Sequence, residues 1–122
     1  MGSVFREVVI DCQDPRRLGR FWADVLAWPL TEDDKGYCWL SATGQPWDPP
    51  LLVFVPVPEP KTVKNRIHLD VNPSGCDQAE ELERLLALGA RPVDVGQGDV
   101  PWIVLADPED NEFCLLGRRV DP

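Results

Sequence analysis

The stretch Glu7-Val8-Val9-Ile10-Asp11-Cys12-Gln13-Asp14-Pro15 passes from an apolar, β-branched run directly into an acidic residue followed by proline. β-Branched side chains favour a strand, aspartate is a good helix N-cap, and proline is favoured at the first helical position. A strand is therefore predicted over residues 4–12, running into a helix. Beyond Pro15, the residues Leu18, Phe21, Trp22, Val25 and Leu26 recur at the three-and-four spacing of one helix face, with Arg16, Arg17, Arg20 and Asp24 on the other. Pro29 is predicted to stop this helix. Two further strands are predicted at residues 36–41 and 51–57, separated by a Pro/Gly loop over 43–50 that carries Trp47.

The same order then restarts. Residues 58–65 form a polar, proline-containing connector, and residues 66–72 alternate apolar Ile67, Leu69 and Val71 with polar His68, Asp70 and Asn72. Asp77, with Glu80 three residues later, marks a second helix start, Leu82, Leu85 and Leu86 supply its apolar stripe, and Gly89 ends it. Strands are predicted near residues 91–95, 102–106 and 112–116, the last two joined by the turn Asp107-Pro108-Glu109-Asp110-Asn111. The halves align by counting: Asp14, Pro29 and Trp39 recur as Asp77, Pro92 and Trp102 at an offset of 63. The first strands align at 61, placing Glu7-Val8-Val9-Ile10-Asp11 against His68-Leu69-Asp70-Val71-Asn72. The expected architecture is α+β, a single domain over residues 1–122 made of two tandem βαβββ modules, about 4–57 and 66–117, joined by a linker near 58–65.

Composition bounds what such a chain does. With 122 residues and 43% hydrophobic content, it can bury a core without disulfides or a structural metal. Its formal charge of −9 opposes nucleic acid and anionic membrane surfaces. The early residues lack the long apolar core of a signal peptide, and no later run approaches a membrane span, so a cytoplasmic location is expected. Cys12, Cys38, Cys76 and Cys114 form no Cys-x-x-Cys pair and read as free or buried thiols.

A helix covers one face of each sheet, which leaves a second face. On the leading strands that face carries Glu7, Val9 and Asp11 in one half and His68, Asp70 and Asn72 in the other. Polar side chains gathered there suggest a ligand cavity rather than plain core. His68 is the only histidine. It suits a general base, with Asp70 or Glu7 to orient it, and equally a scaffold histidine held by hydrogen bonds. Of the five tryptophans, Trp22 and Trp28 read as core. Trp39, Trp47 and Trp102 read either as walls for a flat ligand or as packing.

The sequence resembles the vicinal oxygen chelate superfamily, the glyoxalase, bleomycin-resistance and extradiol-dioxygenase group, and in particular its small bacterial glyoxalase-like domains. The resemblance runs from Glu7 to Leu116. It is carried by Asp14-Pro15 with Phe21-Trp22, by Leu26-Ala27-Trp28, by Asn65-Arg66-Ile67-His68-Leu69-Asp70-Val71, by Leu88-Gly89-Ala90, and by residues 107–116. Two positions depart from the pattern: Ala27 and Asp110 stand where the family usually has glycine. The resemblance implies paired modules whose mixed sheets curve into a cup, and in catalytic members a divalent metal held by one residue from each of four strands. Carried over by position, these places fall on Glu7, His68, Cys114 and the apolar stretch 51–55. A metal, if bound there, would have Glu7, His68 and Cys114 as ligands; because the fourth place offers no donor, no cofactor is predicted. Glu112 reads as a solvated edge carboxylate.

Three functions follow from this reading, the last a scaffold or regulatory domain in which the cup is vestigial and pairing with a second chain matters. One is a metal-independent protein that takes an apolar or aromatic small molecule into the cup, with Trp39, Trp47, Trp102, Asp70 and Cys114 as ligand-binding residues. Another is an enzyme, either a metal-dependent lyase, isomerase or dioxygenase, or a metal-free one using His68 with Glu7 or Asp70 as acid and base. The resemblance also implies pairing of two chains, a homodimer being the economical symmetric outcome.

Overall fold

The computed structural model describes residues 1–122, which form two compact units, Met1–Pro60 and Lys61–Pro122. The first contains β1 (Glu7–Cys12), α1 (Pro15–Leu26), β2 (Leu30–Glu32), β3 (Cys38–Leu40) and β4 (Leu51–Pro56). The second contains β5 (Leu69–Val71), α2 (Gln78–Leu88), β6 (Arg91–Pro92), β7 (Ile103–Ala106) and β8 (Glu112–Leu115). Each unit has one mixed sheet, ordered β1-β4-β3-β2 or β5-β8-β7-β6, in which the first strand lies parallel to the last. This is the twofold βαβββ architecture expected from the sequence. No helix is long and apolar enough to cross a membrane.

In the first unit, α1 begins as its sequence dictates: the Asp14 carboxylate accepts a hydrogen bond from the Arg17 backbone N–H at 3.1 Å, and Pro15 occupies the first turn. Leu18, Phe21, Trp22 and Val25 are buried on its sheet-facing side, with the Phe21 and Trp22 rings edge to face at 5.4 Å. Gly19 permits the close approach, since a Cβ there would stand 3.2 Å from both Cys38 and Leu30 side chains. Helix α1 thereby covers the sheet face bearing Leu40, Leu52 and Phe54. The opposite face carries Glu7, Val9, Val53 and Trp39, and Val9 is exposed.

The helix ends before Pro29. Ala27 caps it in the left-handed conformation at φ 53°, ψ 43°, and its N–H reaches the Ala23 carbonyl. Gly89 takes the equivalent place after α2, at φ 119°. A left-handed alanine costs about 1–2 kcal/mol, whereas glycine pays only its larger unfolded-state entropy of roughly 0.5–1 kcal/mol. Ala27→Gly is accordingly expected to raise the unfolding free energy by about 0.5–1 kcal/mol, measured by urea denaturation. An unchanged or lower midpoint would mean that Ala27 is not strained.

In the second unit, the Asp77 carboxylate caps α2 by accepting from the Glu80 N–H at 2.9 Å. Its buried face differs from the expected stripe of Leu82, Leu85 and Leu86: Leu85 and Glu81 are buried, while Leu86 is exposed. Glu81 tolerates burial because Arg84 grips both carboxylate oxygens, at 2.7 and 2.9 Å.

Strand pairing corrects the internal alignment. Val9 pairs with Val53 and Asp70 with Cys114, so the offset of 61 holds on both members of the parallel pair. Val53 pairs in turn with Trp39, but Cys114 pairs with Val104. The counterpart of Trp39 is therefore Val104, not Trp102, which precedes β7 and corresponds to Tyr37. The 63-residue offset expresses the equal placing of the helix caps; the third strands have slipped by two residues, which preserves the face.

Residues 61–65, read from sequence as connector, are tied to the second sheet. Lys61 Nζ lies 2.7 Å from Glu112 Oε2, and the Asn65 N–H donates to Glu112 Oε1 at 2.8 Å. Glu112 is not the solvated edge carboxylate expected after a turn: its side chain is only 10% exposed.

Candidate ligand-binding site

The second sheet turns one face to α2 and the other to a cavity of about 330 Å³. Alternation decides which side chains reach it. Asp70, Cys114 and Val104 are register partners across β5, β8 and β7 and point the same way; Trp102, Glu112 and Leu116 share their parity. Cys114 and Val104 are almost fully buried and form the floor, while His68 and Asp70 stand at a solvent-accessible edge. His68 falls just before β5, because that strand starts at Leu69 rather than at residue 66.

Three polar groups converge on this floor. His68 Nε2 lies 3.2 Å from Asp70 Oδ1. Donor atoms of His68, Asp70 and Cys114 all lie within 4.8 Å of one another. Burial pushes the Cys114 thiol pKa up, and the charge and hydrogen bond of Asp70 push it further, with Lys64 opposing. Cys114 is therefore a protonated thiol at neutral pH and a poor nucleophile as it stands.

The structure thus brings together four residues singled out from sequence: His68, Asp70, Cys114 and Trp102. Glu7, Trp39 and Trp47 belong to the first unit. Trp39 is half-buried on the open face of its own sheet, and Trp47 is 69% exposed in the loop before β4. Lys64, Val95, Gln97 and Leu116 also line the cavity, and sequence reasoning did not find them. Val95 and Gln97 come from the loop after β6, folded back by the Gln97 side-chain oxygen accepting from the Val95 N–H at 2.9 Å. The glycine pair at 96 and 98, both with positive φ, was the one local signal of that tight loop. All four cysteines are free, with Cys12, Cys38 and Cys114 buried.

The four-strand metal set implied by the resemblance does not fit these residues. Its fourth place lies in β4, where Leu51, Leu52, Val53, Phe54 and Val55 offer no donor atom, and its last-strand carboxylate is replaced by the Cys114 thiol.

Paired βαβββ units with a cavity on an open sheet face define the glyoxalase, bleomycin-resistance and dioxygenase class of the vicinal oxygen chelate superfamily. The profile of the glyoxalase-like domain matches residues 7–116, and the chain belongs to that family. Among solved structures it resembles the fosfomycin resistance protein FosX from Listeria monocytogenes, at 15% identity, 94% and 93% coverage of this chain and that one, and a TM-score of 0.67. FosX from Mesorhizobium loti gives 14% identity, coverage of 96% and 92%, and a TM-score of 0.63. A glyoxalase/bleomycin resistance protein/dioxygenase family enzyme from Burkholderia phytofirmans gives 17% identity, coverage of 89% and 94%, and a TM-score of 0.59. A variant of the Listeria protein is complexed with Mn(II) and 1S,2S-dihydroxypropylphosphonic acid. No curated protein matches the chain in sequence.

Proposed function

We propose that this glyoxalase-like protein binds an apolar or aromatic small molecule in the cavity of its second unit, without the four-strand metal of enzymatic relatives. The observation that carries the reading is the cavity itself. Its volume of about 330 Å³ lies at the lower end for small-molecule sites. Trp102, Val95, Val104 and Leu116 supply apolar walls, and Asp70, Lys64 and Gln97 supply a few polar anchors. Trp102 is 39% exposed there, leaving ring surface for a flat ligand to cover. Four free thiols suit a reducing cytoplasm, and a homodimer is the assembly the family resemblance suggests.

The His68–Asp70 contact favours a second reading, metal-free acid–base catalysis, in which Asp70 rather than Glu7 orients the imidazole. The Cys114 thiol, held protonated, would act there only as a hydrogen-bond donor.

The first reading is tested with N-phenyl-1-naphthylamine, an uncharged aromatic probe whose emission rises in apolar surroundings. Saturable binding is expected, weakened roughly tenfold by Trp102→Ala, which corresponds to about 1.4 kcal/mol of lost contact. Trp47→Ala is expected to leave it unchanged. Absence of saturable binding, or equal affinity in the Trp102→Ala protein, would defeat the proposal.

A further inference from the structure

We infer that the cavity of the second unit selects an aromatic monocarboxylate, whose charged end meets the Lys64 ammonium and the Gln97 side-chain amide while its ring lies against Trp102. This rests on the ligand-binding reading and names the chemical class that the site takes.

The hydrogen-bonding groups of the cavity wall carry it, because the acceptors are engaged and the donors are not. Glu112 accepts from Lys61 Nζ at 2.7 Å and from the Asn65 N–H at 2.8 Å. Asp70 has His68 Nε2 at 3.2 Å from its Oδ1 and accepts the Cys114 thiol hydrogen bond. Lys64 is the one lysine or arginine on the wall; its Nζ joins no ion pair and donates only to the Asn65 backbone carbonyl, at 3.1 Å. The Gln97 side-chain oxygen accepts from the Val95 N–H at 2.9 Å, which leaves the amide NH₂ over, and that group makes no hydrogen bond within the protein. The Trp102 indole N–H makes none either. A wall with spare donors and engaged acceptors suits a ligand that brings acceptors and no proton, as a carboxylate does.

Charge narrows the class further. An ammonium and a carboxylate form hydrogen bonds about twice as strong as neutral ones. A cationic ligand would instead meet the Lys64 ammonium, while the carboxylates of Asp70 and Glu112 already hold partners. The Lys64 charge reaches the cavity floor, where it opposes that of Asp70 at the Cys114 thiol. The backbone that carries it is also fixed in advance. Lys64 lies between Lys61 and Asn65, both bound to Glu112, and Asn65 Nδ2 donates to Asn111 Oδ1 at 2.9 Å, so little ordering remains to be done on binding.

Calorimetric titration of the full chain with 2-naphthoate and with 2-naphthamide, its uncharged counterpart of similar shape, separates charge from fit. The carboxylate is expected to bind about tenfold more tightly. Lys64→Gln is expected to weaken 2-naphthoate about tenfold and to leave 2-naphthamide within about twofold of the parent. Gln97→Glu keeps an oxygen for the Val95 N–H but puts a negative charge where the amide NH₂ stood, and is expected to weaken 2-naphthoate by about tenfold or more. Lys35→Gln, in the turn between β2 and β3, is expected to change neither affinity. Circular dichroism checks the fold of each variant. Equal affinity for the two compounds in the parent, or an unchanged preference in Lys64→Gln, overturns the inference, and binding of 2-naphthamide then leaves the ligand reading intact. An equal loss of preference in Lys35→Gln also overturns it, since the net charge of the chain rather than the cavity cation would then set the selection. Failure of both compounds to bind sinks the two readings together.

Discussion

Replacing Asp107 by alanine is expected to destabilise the second unit by about 3 kcal/mol and lower its melting temperature by roughly 10 °C or more. Asp107 is 1% exposed and sits at the start of the turn between β7 and β8. Its Oδ1 accepts from the backbone N–H groups of Glu109, at 2.9 Å, and Asn111, at 3.0 Å. The Asn111 side-chain amide reaches both carboxylate oxygens. Alanine leaves these donors facing a void, and the desolvation cost of buried donors exceeds the modest net value of the bonds themselves. Asp107→Asn keeps one acceptor oxygen and is expected to cost about 1 kcal/mol. Calorimetry of the two variants separates the roles: equal losses would mean that the full carboxylate, not the single acceptor oxygen that asparagine keeps, holds the turn.

The second large effect is expected at the Lys61–Glu112 pair. Both side chains are mostly buried, at 18% and 10% exposure, so Lys61→Met strands a carboxylate in a low-dielectric setting. A loss of about 3 kcal/mol is expected, with Glu112→Gln milder and the double variant partly restored. The pair also shapes the acid limb of stability. Burial raises the Glu112 pKa, but the hydrogen bond from Lys61, the Asn65 N–H and the charges of Lys61 and Lys64 together outweigh it, so the carboxyl lies below its ordinary 4.5. A folded-state pKa below the unfolded one contributes stability that is fully present above the unfolded value. That contribution is lost as pH falls through the folded value. Urea midpoints measured between neutral pH and about pH 3 should fall on this limb in the parent and fall less in Lys61→Met. Identical pH profiles would mean that Lys61 does not set the Glu112 titration.

These two clusters show where the chain spoke plainly and where it did not. Helix starts were legible because capping is local: Asp14 and Asp77 satisfy N–H groups three residues away. Strands with a long apolar run, such as β4, were legible for the same reason. The three-residue β2 was not, because Leu30-Thr31-Glu32 has no apolar alternation and is a strand only through its partners Leu40, Trp39 and Cys38. That Cys114 and Glu112 share a face followed from alternation, but which face it is did not; the structure turns it to the cavity. The burial of Glu112 did not follow either, because it depends on Lys61 some fifty residues earlier. In the cavity, the strand residues Asp70 and Cys114 were found, whereas Val104 read only as strand, Glu112 as edge, and the groups from the connector and the loop after β6 had no periodic pattern to announce them. Equating Trp39 with Trp102 failed because offsets measured at helix caps do not pass unchanged through loops of different length.

The parallel pairing of first with last strand has a consequence during synthesis. Glu7 pairs with Leu51 and Leu69 with Phe113, a separation of 44 residues in both units. At roughly 5–20 residues per second, a ribosome leaves each leading strand without its partner for about 2–9 seconds. Over that interval the strand that supplies Asp70 exists before the strand that supplies Cys114. The floor of the cavity is thus among the last features each nascent chain completes.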